Sequence, residues 1–112
     1  MATAYKVLGQ SNPTATQNTT LYTTPSGTST VVSTIVVCNQ TTTAATFRLI
    51  IQQSAEVSTT ILAKQYVAYD VSVGGSDTTA LTLGVTLATG DAIKVYASTA
   101  TLSFMAFGSE IA

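Results

Sequence analysis

Apolar and polar side chains alternate with a period of two over most of this chain, the signature of β-strands rather than helices. Leu81, Leu83, Val85 and Leu87 alternate with Thr82, Gly84 and Thr86, which gives a strand with one buried and one solvated face. Phe47, Leu49 and Ile51 alternate with Arg48, Ile50 and Gln52; Ile93, Val95 and Ala97 follow, then Leu102, Phe104 and Ala106. The run Val31–Cys38 is of another kind. It is apolar on both faces, so it is expected in the middle of a sheet with both sides covered.

Turn chemistry separates these runs at Pro25–Gly27, Gly74–Asp77 and Thr89–Asp91, and Asn39–Thr43 reads as a polar loop. The pattern predicts strands near residues 4–9, 19–24, 30–38, 44–53, 58–63, 65–73, 79–87, 91–98 and 101–107. Short strands at intervals of about 8–12 residues are the mark of a sandwich or barrel. The expected fold is an all-β, single-domain antiparallel β-sandwich of eight or nine short strands spanning residues 1–112, with jelly-roll and immunoglobulin-like strand orders both open. Ser54–Lys64 holds good helix formers, but Val57–Ile61 is too rich in β-branched residues to sustain a helix. Residues 10–20 have almost no large apolar groups and read as a loop or an extended arm.

Composition sharpens this picture. The 112 residues are 46% hydrophobic, enough for a folded core, yet only 8% are charged, against roughly 25% in a typical domain. Thr takes the vacant place at about a fifth of the chain, and its β-branched side chain favours extended backbone. A surface so poor in charge is weakly protected against association, which suits a protein that works packed against neighbours. The net charge is −1, and the four cations Lys6, Arg48, Lys64 and Lys94 are scattered, so no basic patch for nucleic acid is expected. No apolar stretch approaches the ~20 residues of a membrane-spanning helix. Met1–Lys6 lacks the long apolar segment of a secretory signal, so synthesis in a cytoplasm is expected.

Candidate chemistry is sparse. The chain has no His, which removes the commonest general base and zinc ligand together. Cys38 is alone and sits in an apolar run, so a buried, inert thiol is expected. Of the five acids, Asp77 and Asp91 lie beside Gly75 and Gly90 and read as turn residues, while Glu56, Asp70 and Glu110 form no catalytic pair in sequence. Gly74–Thr78 offers a cation one carboxylate, and no phosphate-binding loop is present. No catalytic, metal or cofactor site is therefore expected. Tyr66 and Tyr69 could form a sugar-stacking surface, but residues three apart on a regular strand point to opposite faces.

Tyr5–Gln10, Leu21–Pro25, Val31–Asn39, Tyr66–Val71 and Leu102–Glu110 together resemble the small virion proteins of tailed bacteriophages, over nearly the whole chain. The likeness extends both to head-decoration (cement) proteins and to small tail or baseplate proteins. It implies a non-enzymatic structural role in the virion, with the major capsid protein or other virion proteins as partners and no nucleic acid, membrane or cofactor. For a cement protein it implies a homotrimer seated over junctions between capsid subunits. A tail, baseplate or fibre component is the alternative, and a host-glycan-binding module is a third reading from another class. Tyr5, Tyr22 and Phe107, near the chain ends, are the candidate interface anchors, with core packing as the alternative for each.

Overall fold

In the computed structural model, residues 3–57 and 60–112 are described. They form nine strands: β1 (Thr3–Ser11), β2 (Thr19–Thr23), β3 (Ser29–Asn39), β4 (Ala45–Gln52), β5 (Tyr66–Val73), β6 (Thr78–Leu81), β7 (Val85–Leu87), β8 (Ala92–Ala97) and β9 (Leu102–Ile111). The pairings are nested like one long hairpin. Thr3 opposes Ile111, Thr19 opposes Val95, Thr30 opposes Leu87 and Ala45 opposes Val73, all antiparallel. This ribbon wraps into two sheets. One has the order β1-β9-β3-β6, with β7 also pairing β3; the other has the order β2-β8-β4-β5.

Most connections switch sheets, as a jelly roll requires. An immunoglobulin-like order would instead keep consecutive hairpins within one sheet. Between the sheets lies one core. Val32, Ile35, Val37, Phe104 and Ala106 from the first sheet meet Leu21, Phe47, Leu49, Ile93 and Val95 from the second. Phe47 and Phe104 touch edge to face across the sheets, with centroids 6.0 Å apart at 72°. Such a pair adds about 0.5–1.5 kcal/mol beyond the area it buries. Gly108 allows the close crossing of β9 and β3, because a Cβ there would lie 2.0 Å from the Val31 carbonyl oxygen.

Two expectations change, and a third resolves to one of its two alternatives. The strand predicted over 79–87 is interrupted at 82–84: β6 ends at Leu81, and Gly84, with φ 63°, leads the chain into β7. The strand predicted over 58–63 does not form: residues 58 and 59 lie outside the described residues, 60–62 are not strand, and Ala63–Gln65 is a 3-10 turn. This segment folds over part of the outer face of the second sheet. There the Gln65 side-chain oxygen accepts from the Leu62 amide (2.9 Å) and the Gln52 side chain (3.0 Å), and Lys94 Nζ donates to the Val57 carbonyl (2.8 Å). Finally, the residues after β1 form a loop held to their own domain, not an arm. Asn12 Nδ2 donates to the carbonyls of Ala100 (3.0 Å) and Leu102 (2.7 Å), and the Thr16 amide donates to Ala97 (2.8 Å).

Candidate assembly surface

Strand pairing decides which side chains share the outer face of the first sheet. On β3, Val37, Ile35 and Val32 point into the core, so Cys38, Val36 and Val31 point outward. Their neighbours on β9 are Met105, beside Val36, and Phe107, which opposes Val7 of β1. Tyr5 completes the face, 86% exposed, with Val7 at 48%. Tyr5, Lys6, Val7, Val31, Phe107 and Ser109 are among the residues that line a shallow groove of about 510 Å³ there. Among the described residues, Lys6 is the one charged residue that lines this groove, and its side chain is 47% exposed. Lys6 and Glu110 lie on the other side of their strands, joined at 2.7 Å. β1 is also an edge strand, so one side of its nine-residue backbone has no strand partner.

Val31–Cys38 is central in its sheet, as its pattern predicts, but only one of its faces is covered by the chain itself. Cys38 is accordingly half-buried rather than buried. The two-sided apolar pattern of β3 is the signal for this surface in the sequence, whereas Val7, Val36 and Met105 each look like core residues in their local context.

The three candidate anchors separate. Tyr5 and Phe107 come together on the open face. Tyr22 is 8% exposed, and its ring belongs to the core, so it is not an accessible anchor. The physical reason is its polar tip. The Tyr22 hydroxyl donates to Glu110 and lies 2.8 Å from the Thr30 hydroxyl, which satisfies it inside the sandwich. Burial, then the bond to Glu110, pushes the Tyr22 phenol up to about 12. Lys6 first, then Tyr22, holds the Glu110 carboxyl below its ordinary value. This Lys6–Glu110–Tyr22 cluster ties β1 and β9 of one sheet to β2 of the other.

The remaining carboxylates are structural. Asp91 accepts the amides of Ser54 and Ala88, each at 2.9 Å, and Asp77 accepts that of Thr78 at 2.8 Å, the turn roles their sequence context predicts. Glu56 pairs with Lys64 at 3.0 Å. No group of three His, Cys, Asp or Glu side chains is placed to hold a metal among the described residues.

The outer face of the second sheet holds a different cluster. Pairing between β4 and β5 shifts between Phe47 and Leu49, so that two residues of β4 oppose three of β5. Asp70 absorbs the extra residue in the left-handed region, with φ 51°. A second shift, between Leu49 and Ile50, adds one residue between Ala68 and Tyr66 and so moves Tyr66 and Tyr69 onto one face. Their rings meet edge to face with centroids 4.9 Å apart, contrary to the opposite-face expectation. The Arg48 guanidinium lies 4.3 Å from the centroids of both Tyr69 and Tyr96, and its Nε donates to Asp70 at 2.7 Å. The Asp70 bond first, then the field of its carboxylate, holds the Arg48 guanidinium above its ordinary range against the opposing effect of burial. No pattern in the sequence joins these five residues, because they come from three strands.

No family model, curated protein or solved structure matches the chain.

Proposed function

We propose that this chain is a non-enzymatic structural component of a phage particle, a capsid cement protein that stabilises the shell by bridging its subunits. It assembles as a homotrimer and docks through the outer face of the β1-β9-β3 sheet. The single observation that carries this reading is the chemistry of that face. It presents Tyr5, Val7, Val36, Met105 and Phe107, and among the described residues the one charge lining its groove is Lys6, paired with Glu110.

A free monomer draws its solubility from mixed surface charge, so an apolar sheet face this poor in charge fits a surface that is covered in use. The net charge of −1 lets identical copies approach with little repulsion. Many copies on one lattice then convert modest contacts into a firm hold. The sequence resemblance to phage virion proteins supplies the kind of particle. The jelly roll agrees with it, since capsid domains are among those built this way, but a fold by itself does not specify a function.

Size-exclusion chromatography with light scattering, followed by mixing with empty capsids of the phage that encodes the protein, tests the proposal. The expected result is a trimer that binds capsids and raises their melting temperature, while Val36→Asp remains folded and does not bind. Capsid binding undisturbed by Val36→Asp would refute docking through this face. Rings formed by the protein alone, with no capsid binding, would assign it to the tail or baseplate instead.

A further inference from the structure

We propose that the outer face of β4, β5 and β8 is a binding site for a neutral saccharide. Tyr69 serves as the stacking platform, and the Arg48–Asp70 pair binds the sugar hydroxyls. The site is separate from the assembly face, since it lies on the opposite sheet of the sandwich.

A pyranose ring has a face of C–H groups and a rim of hydroxyls that both donate and accept. It is matched by an exposed aromatic face beside fixed donors and acceptors. The Tyr69 ring is 58% exposed. One side of it rests on Arg48, and Tyr66 packs against it at 86°, so the ring is held in place before any ligand arrives. Tyr96 supports Arg48 from the other side. Prior ordering of this kind reduces the entropy lost on binding.

Polar groups stand next to the ring. Arg48 spends Nε and one terminal nitrogen on Asp70, at 2.7 and 3.3 Å, which leaves further guanidinium N–H donors free of that pair. The Asp70 side chain is 44% exposed, and its oxygens retain lone pairs for hydroxyl donors. A donor and an acceptor held side by side on one rigid pair suit two neighbouring hydroxyls.

Charge selects the class of sugar. Asp70 compensates Arg48, and the nearest other cation on this face, Lys94, donates to the Val57 carbonyl. The site carries no net positive charge, so it favours neutral over acidic sugars. The folded segment over Ile50 and Gln52, both 0% exposed, closes one end of the face and leaves the tyrosine end open. The left-handed backbone at Asp70 fits the same reading. The left-handed turn there sets the carboxylate beside Arg48, while the separate shift between Leu49 and Ile50 aligns Tyr66 with Tyr69.

The test is a printed array of neutral oligosaccharides built from glucose, galactose, mannose and N-acetylglucosamine, with acidic glycans alongside, probed with the full chain. Calorimetry and NMR titration with the strongest neutral ligand follow. The expected result is saturable binding that shifts the ring signals of Tyr66, Tyr69 and Tyr96. Tyr69→Leu, which keeps apolar bulk but removes the flat ring, weakens binding on the order of tenfold or more at an unchanged fold by NMR. Tyr69→Trp retains or tightens it. Because the wild-type ring shifts report the site directly, the test does not depend on any variant folding. No neutral glycan held above background, undiminished binding by Tyr69→Leu, or binding confined to acidic glycans would each overturn the proposal. Loss of capsid binding in Tyr69→Leu without any glycan binding would make the patch a protein contact and overturn it equally.

Discussion

Val36 and Val37 are adjacent on β3 and leave the sheet on opposite sides, which makes them an internal control for the uncovered face. Val37 is 0% exposed in the core, whereas Val36 is half-buried beside Met105 and Ala80. Truncating either to Ala removes the same two methyl groups and the same strand propensity, so those contributions cancel in the comparison. At Val37 the lost transfer energy is about 1.6 kcal/mol, at ~0.8 for each carbon removed, and the cavity raises the total to about 2–3 kcal/mol. At Val36 only part of that burial exists and no closed cavity forms, so the loss stays under about 1 kcal/mol. For a chain of 112 residues, each kcal/mol moves the melting temperature by about 4–8 °C. Val37→Ala is therefore expected to lower it by about 10–20 °C, and Val36→Ala by less than about 8 °C. Urea unfolding and calorimetry on protein dilute enough to be monomeric measure both. In capsid binding the order reverses: Val36→Asp abolishes it at a concentration where the free chain remains folded. Equal destabilisation by the two alanine variants in the monomer would refute the reasoning, because it would mean that the chain already covers its own outer face.

Tyr22→Phe removes a hydroxyl that both Thr30 and Glu110 use, and is expected to destabilise the monomer by about 1–2 kcal/mol in urea titration without changing oligomeric state. A shift in assembly with stability intact would contradict the core assignment of Tyr22. The carboxyls of Glu110, Asp70 and Glu56 are all held below their ordinary values, by Lys6, Arg48 and Lys64 in turn. Their contributions are fully present above the unfolded carboxyl values and disappear as the pH falls through the lower folded values, so the melting temperature should stay level near neutrality and drop below about pH 4.5. Glu110→Gln should flatten that drop, and an unchanged acid profile would count against the cluster. At the alkaline end the Tyr22 phenol, raised to about 12, protects the fold below pH about 10 and loses that contribution as the pH climbs through 12. Spectrophotometric titration should accordingly show one tyrosine ionising late or only with unfolding. Gly108→Ala drives a methyl against the Val31 carbonyl oxygen and is expected to cost more than about 2 kcal/mol, read as a lowered urea midpoint.

The candidate surfaces were legible to different degrees. Tyr5 and Phe107 stood out as aromatics near the ends, and the nested pairing of β1 with β9 does bring them together. Tyr22 has the same composition signal but lies on a strand of the other sheet, with Thr30 and Glu110 ready to satisfy its hydroxyl, so it turns inward. Nothing local distinguishes these cases. Tyr66 and Tyr69 show the limit of counting by twos: one extra residue in β5 reverses the parity that the spacing implies.

The sequence by itself determined most of the strands, because alternation and turn chemistry act over a few residues and need no partner. Runs 30–38 and 44–53 are observed as Ser29–Asn39 and Ala45–Gln52. It also determined that the chain would be all-β, poor in charge and without histidine. Only the tertiary structure decided the jelly-roll order, since the strands that pair are far apart in sequence and their alternation is alike. It also decided that one apolar face of β3 stays open, and that Arg48, Tyr66, Tyr69, Asp70 and Tyr96 form one cluster. Those outcomes depend on which strand lies beside which, and on bulges that appear only when two strands of unequal length must be kept in register.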